Sequence, residues 1–175
     1  MKNQFRIGAC VMVGLCLFLS FGFLADTQTR SPIPNTKQKE TVVTKHASGT
    51  FEVKLNPQVD DKVGDPTVNR MSIDKQFHDD LEATSKGQML AASTDIKGSA
   101  GYVAMERVSG TLHGHSGTFA LQHSGTLTRG AAQLSVTVVP DSGTGQLAGL
   151  AGKMTINIAD GKHSYDFEYT LAHSH

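Results

Sequence analysis

Between Ala47 and Leu171 apolar side chains recur at every second position, and no amphipathic helical period appears there. GTFEVKL sets Phe51, Val53 and Leu55 against Glu52 and Lys54, the pattern of a half-buried strand. RMSIDKQF puts Met71, Ile73 and Phe77 on one face, and DLEATSKGQMLAAST continues with Leu81, Ala83, Met89 and Ala91 as inward residues. AGYVAMERVSGTLHG, SGTFALQHSGTLT, QLSVTVV, MTINI and HSYDFEYTL follow; the last sets Tyr165, Phe167, Tyr169 and Leu171 against Asp166, Glu168 and Thr170. Short turns containing Gly, Asp, Ser or Asn separate these segments. Strands at such regular spacing predict a sandwich or a closed barrel. Eight antiparallel strands close naturally, and closure removes exposed edges. The expected fold is all-β, a single antiparallel barrel of about eight strands behind an N-terminal hydrophobic leader helix.

One glycine-rich stretch, PDSGTGQLAGLAGK (140–153), raises the question of phosphate binding. A phosphate loop reads G-x-x-x-x-G-K-[ST]. Counting back from Gly152 and Lys153, Leu147 stands where the first glycine should be, and Met154 stands where the hydroxyl should be. The dinucleotide pattern also fails, because Gly149 comes one residue late after Gly143 and Gly145. Both motifs open a helix, whereas Met154 to Ile158 alternate like a strand. The stretch therefore reads as a connection. Pro140 ends the preceding strand, and Leu147 and Leu150 turn inward to plug one barrel end.

The 175 residues suffice for one domain with a core, and the formal net charge is zero. Nothing basic in that balance points to nucleic acid. MKNQFR is a short positive segment, and residues 7–25 that follow carry no charge. Residues 1–25 are therefore expected to be a cleaved signal peptide or, as the alternative, an N-terminal membrane anchor, which exports the domain or tethers it to the cytoplasmic membrane. Residues 26–46 are polar, contain Pro32 and Pro34, and read as a flexible tether; the barrel domain is 47–175. Both cysteines, Cys10 and Cys16, fall in the leader. Thiol catalysis, thiolate metal sites and disulfides are thus excluded for the domain itself.

The catalytic candidates are Glu106 and Tyr102. In YVAMERV, Tyr102, Ala104, Glu106 and Val108 share one strand face. One of the neighbours Glu106 and Arg107 must then point inward or sit at a rim. A carboxylate in an apolar barrel has a raised pKa and can transfer a proton, while Tyr102 orients a ligand oxygen. The plainer reading is a structural ion pair or rim residue, with Arg129 or Arg70 nearby. His113, His115 and His123 are the metal candidates, but Gly114 in the middle of the His-x-His pair predicts a turn that splays it. No metal and no cofactor are expected. Ser109, Ser116, Ser124 and Ser142 each precede glycine and read as turn serines. Phe51, Phe77, Phe119, Leu121, Tyr165 and Phe167, with Tyr102 and Glu106, are the expected lining of a ligand site; an eight-stranded barrel is either filled by such side chains or leaves room for one small ligand.

Four stretches carry a resemblance: GTFEVKL, FHDDLEATSKG, GYVAMERVSGTLHGHSGTFALQHSG and VVPDSGTGQLAGLAG. Together they resemble the bacterial Domain of Unknown Function 3224 family over roughly Ala47 to Leu171. That family is similar in fold to the allene oxide cyclase barrel, which is calycin-like in shape. The resemblance implies a fold and leaves the chemistry open. Asp79 stands where the family's F-x-G-D-L pattern has glycine, and His115 where L-x-G-R-x-G has arginine. The functional expectation is a periplasmic or secreted barrel that binds a small apolar or amphipathic ligand in or at its mouth and is not an enzyme. The alternatives are a cyclase- or isomerase-like enzyme using Glu106 for proton transfer, or a structural or interaction module. Membrane contact is expected only through an uncleaved leader, and a homo-oligomer is left open.

Overall fold

The computed structural model describes residues 43–58 and 67–172. Eight strands follow in chain order: β1 (Lys45–Pro57), β2 (Val68–Phe77), β3 (Leu81–Ser93), β4 (Ala100–Leu112), β5 (His115–Thr128), β6 (Ala131–Val138), β7 (Leu150–Ala159) and β8 (Lys162–Leu171). Each strand pairs antiparallel with the next, and β8 returns to β1, so the sheet closes into a barrel. The fold read from the alternation is the observed one. The leader, the tether as far as residue 42, and the terminus from residue 173 lie outside the described residues. One boundary moves. Lys45 pairs with Tyr169 and His46 with Glu168, so two residues expected in the tether belong to β1. The neighbouring strand supplies ladder partners there, and pairing outweighs the local polarity.

Three hairpins turn on two residues at positive φ: His113-Gly114 (46° and 79°), Arg129-Gly130 (49° and 93°) and Asp160-Gly161 (51° and 74°). Such turns match the right-handed twist of the strands they join. The β2–β3 turn places Asp79 at φ 76°, a conformation in which glycine is least strained. Asp79 is held there by its own contacts. Its carboxylate accepts from Thr50 N at 3.2 Å, and its N–H donates to Glu82 Oε1 at 2.8 Å.

Odd-numbered residues of β1, β2, β3, β5 and β8, and even-numbered residues of β4, β6 and β7, face the lumen. At the end carrying the β2–β3 and β4–β5 turns the lumen is solid. Phe77, Leu81, Val108, Leu112, Phe119, Leu147, Leu150, Phe167 and Tyr169 are all buried there. Phe119 and Phe167 stack at 5.9 Å, and Phe167 and Tyr169 at 5.3 Å. Each such side chain contributes about 1.5–3 kcal/mol by leaving water. At the other end the same faces carry half-exposed residues: Val53, Met71, Met89, Tyr102, Leu127 and Ile156. Among the described residues the lumen is therefore plugged at one end and partly exposed at the other, the mouth end.

The glycine-rich connection makes the plug, as its inward leucines predict; Leu147 closes a single 3-10 turn, Gly145–Leu147. It also takes over the edge of β5 where β6 has left. Val139 N and Thr144 N donate to the carbonyls of Ala120 and Thr118 at 2.9 and 2.8 Å. Ser142 Oγ, Thr144 Oγ1 and Gln146 Oε1 accept from the amides of Ala120, Thr118 and Ser116 at 3.0, 3.1 and 2.8 Å. Alternate polar residues of SGTGQ thus stand in for a ladder, and glycines admit the close approach. A side chain at Gly117 would run into the carbonyl oxygen of Thr144. This is edge-sealing chemistry, and it accounts for the stretch without a phosphate.

At the mouth the wall has a seam. β6 and β7 share one register pair, Thr137↔Lys153. Beyond it Ala131–Val136 pair with β5 and Met154–Ala159 with β8, and no β6–β7 pairs continue the ladder.

Candidate functional site

Between plug and mouth, four polar side chains meet inside the barrel: Lys75 of β2, Ser85 of β3, Glu106 of β4 and His123 of β5. Glu106 is their centre and is 2 % exposed. Its Oε1 lies 2.8 Å from Lys75 Nζ and 2.9 Å from His123 Nε2, and its Oε2 accepts from Ser85 Oγ at 2.7 Å. With a proton on Nε2, the imidazole is a donor to the carboxylate. Lys75 Nζ also stands over the rings of Phe51 and Phe77, at 5.0 and 5.6 Å from their centroids. The register brings the four together: Lys75 pairs with Ser85, and Val108 and Ala104, the residues flanking Glu106 on its face, pair with Ser85 and His123 respectively. Gly87 sits opposite Glu106 and leaves room for it, because a side chain there would collide with the glutamate.

The electrostatics reverse one expectation. Burial alone pushes the Glu106 pKa up, but the hydrogen bond from His123 and the charge and hydrogen bond of Lys75 bring it down to about 2. Glu106 is thus ionised at neutral pH, and the raised pKa expected of a lone carboxylate in an apolar barrel does not arise. Its partners are Lys75 and His123, not Arg129 or Arg70. Arg107 points outward and donates to Ser142 O at 3.1 Å.

Tyr102 lies on the mouth side of this network. It pairs with Gly125, and its ring lies across that glycine, where a side chain would collide with it. On the other side of β5, Gly125 pairs with Leu134 of β6. Burial, followed by the Glu106 charge, raises the phenol pKa. Its hydroxyl has no hydrogen-bond partner among the described residues.

The remaining candidates separate. Phe51, Phe77, Phe119, Leu121, Tyr165 and Phe167 are buried and packed against one another, so they fill the lumen below the network. Tyr165 has a structural task as well: its hydroxyl accepts from Leu81 N at 2.8 Å and donates to His78 O at 2.9 Å. His113 occupies the β4–β5 turn, with Nδ1 2.7 Å from Tyr169 Oη, and His115 opens β5 beside it. His123 lies eight residues farther along β5, roughly 25 Å from His115 at the rise of a strand. The three histidines therefore form no common site, and among the described residues no three His, Cys, Asp or Glu side chains converge as metal ligands.

Sequence reasoning missed Lys75 and Ser85. Both carry a parity signal: Lys75 alternates with Ile73 and Phe77, and Ser85 with Leu81 and Ala83. A lysine on an otherwise apolar face calls for an inward carboxylate, and Glu106 is the one such residue on β4.

The sequence from 47 to 169 matches the family model described as a protein of unknown function, DUF3224. Among solved structures, the chain resembles a protein of unknown function from the DUF3224 family of Shewanella oneidensis MR-1. The two are 46 % identical with a TM-score of 0.70, over 75 % of this chain and all of that one. No curated protein matches. The resemblance carried by the four sequence stretches is therefore a membership: this chain belongs to the DUF3224 family.

Proposed function

We propose that the barrel binds a small amphipathic ligand at its mouth, with the ligand's head on the Lys75–Glu106–His123 floor. The observation that carries this reading is the change along the lumen-facing positions. They are sealed by aromatic packing at one end and half-exposed at the other, and the buried polar network lies between. Apolar mouth residues such as Val53, Met71, Met89 and Ile156 suit a hydrocarbon portion. Lys75 and Glu106 already neutralise one another, so a charged head placed above them would be left without a partner. A neutral oxygen, as in an alcohol or carbonyl, suits the site better. The unpartnered Tyr102 hydroxyl is the group that hydrogen-bonds it. The uncharged stretch 7–25 supports a place for this binding outside the cytoplasmic membrane.

Native mass spectrometry of the full chain purified from its own host tests the reading. A retained small-molecule mass is expected, and Tyr102→Phe should weaken its retention. A bare polypeptide mass, together with no heat on titration with 1-decanol, would remove the proposal.

A further inference from the structure

The seam between β6 and β7 has a chemistry of its own. Along β6 the edge reads AAQLSV (131–136), and along β7 it reads MTINIA (154–159); neither contains a charge or a proline. Exposed strand edges usually carry such residues, because an unpaired edge invites association. Val136 and Met154 are buried at the inner end of the seam, but farther out the lumen-facing Leu134 is 44 % exposed and Ile158 67 % exposed. The seam is also continuous with the site already described. Val136, at its inner end, pairs with His123, and Leu134 lies in one row with Gly125 and the Tyr102 ring. Apolar lumen-facing positions thus continue from the polar floor to the two unpaired edges.

We infer that this seam holds the apolar chain of the ligand, and that the natural ligand is a neutral single-chain amphipath such as a long-chain alcohol or its carbonyl counterpart. This rests on the mouth-binding reading and adds a position and a length to it. The head stays beside Tyr102 above the network, and the chain leaves between Leu134 on one side and Ile156 and Ile158 on the other. A chain placed there covers apolar surface that the ladder leaves in water. It also accounts for the absence of lysine from 131–136 and 154–159: a cation there would meet hydrocarbon. A second copy pairing edge to edge is the competing occupant. The exposure of lumen-facing Leu134 and Ile158 favours the chain, since edge pairing between copies uses backbone groups and leaves those side chains where they are.

Calorimetric titration of the full chain with 1-hexanol, 1-octanol and 1-decanol tests this, beside the variants Leu134→Asp and Ile158→Asp. Both positions are exposed enough to accept the change, and circular dichroism checks that the barrel is kept. In the wild type, affinity should rise about fourfold for each added methylene. In the variants that rise should flatten, so that decanol loses more affinity than octanol and octanol more than hexanol. An unchanged rise in both variants would overturn the seam and leave mouth binding standing. No binding of any alcohol to the wild type would overturn both. A concentration-dependent dimer that Leu134→Asp converts to monomer would assign the seam to a second copy and overturn it as well.

Discussion

Lys75 Nζ lies 2.8 Å from Glu106 Oε1 inside the barrel, although the two residues are 31 positions apart and each is nearly sealed from water. Taking both charges out of water costs several kcal/mol each. The cost is met because every polar atom of the pair is engaged: Ser85 and His123 complete the carboxylate, and two aromatic faces flank the ammonium.

Removing one partner strands the other. Lys75→Met and Glu106→Gln should each lower the unfolding free energy by ~3–5 kcal/mol. The double variant should lose clearly less than the sum, with a coupling of ~1–3 kcal/mol. Urea unfolding of the four proteins measures this. Additive losses would mean that the pair is not coupled.

The depressed Glu106 pKa sets a pH dependence. In the unfolded chain the group titrates near 4.5 and in the barrel near 2. Below 4.5 the unfolded state therefore takes up a proton that the folded state refuses. The contribution of Glu106 is present above pH 4.5 and is lost as pH falls towards 2. Its size is on the order of 3 kcal/mol. Stability profiles of wild type and Glu106→Gln between pH 5 and 2 should show a shallower fall in the variant; parallel curves would contradict the assignment.

Tyr165 joins strands that are distant in sequence, through a hydroxyl that accepts from Leu81 N and donates to His78 O. Tyr165→Phe keeps the ring contact with Phe77 at 5.8 Å and leaves a buried amide without its partner. A loss of ~1–3 kcal/mol is expected in chemical denaturation. A change within ±0.3 kcal/mol would show that water replaces the phenol at that place.

The glycine-rich connection should be sensitive where it touches β5 and tolerant elsewhere. Gly117→Ala pushes on the Thr144 carbonyl and should cost ~1–3 kcal/mol. Ser142→Ala removes the acceptor of the Ala120 amide and should cost ~1 kcal/mol. Amide hydrogen exchange at Ala120 and Thr118 should rise in both variants. Unchanged protection would mean that the connection does not seal the edge.

Much of this protein is decided by local pattern. A period of two records which face of each strand meets apolar surroundings, and glycine at a turn records where the backbone goes left-handed. The eight strands, the turn at Gly114 and the inward Leu147 and Leu150 were therefore legible without coordinates. The inward position of Glu106 was legible in the same way, from its place between Ala104 and Val108. What parity cannot express is registry between strands. It does not say that Lys75, Ser85 and His123 reach one carboxylate, and so it gives the wrong sign for that carboxylate's pKa. Nor does it say that the aromatic set fills one half of the lumen, or that β6 and β7 part beyond Thr137 and Lys153. Those properties depend on how far each strand slides against its neighbours when the sheet closes. Closure is a condition on the whole barrel, and no single segment of the sequence carries it.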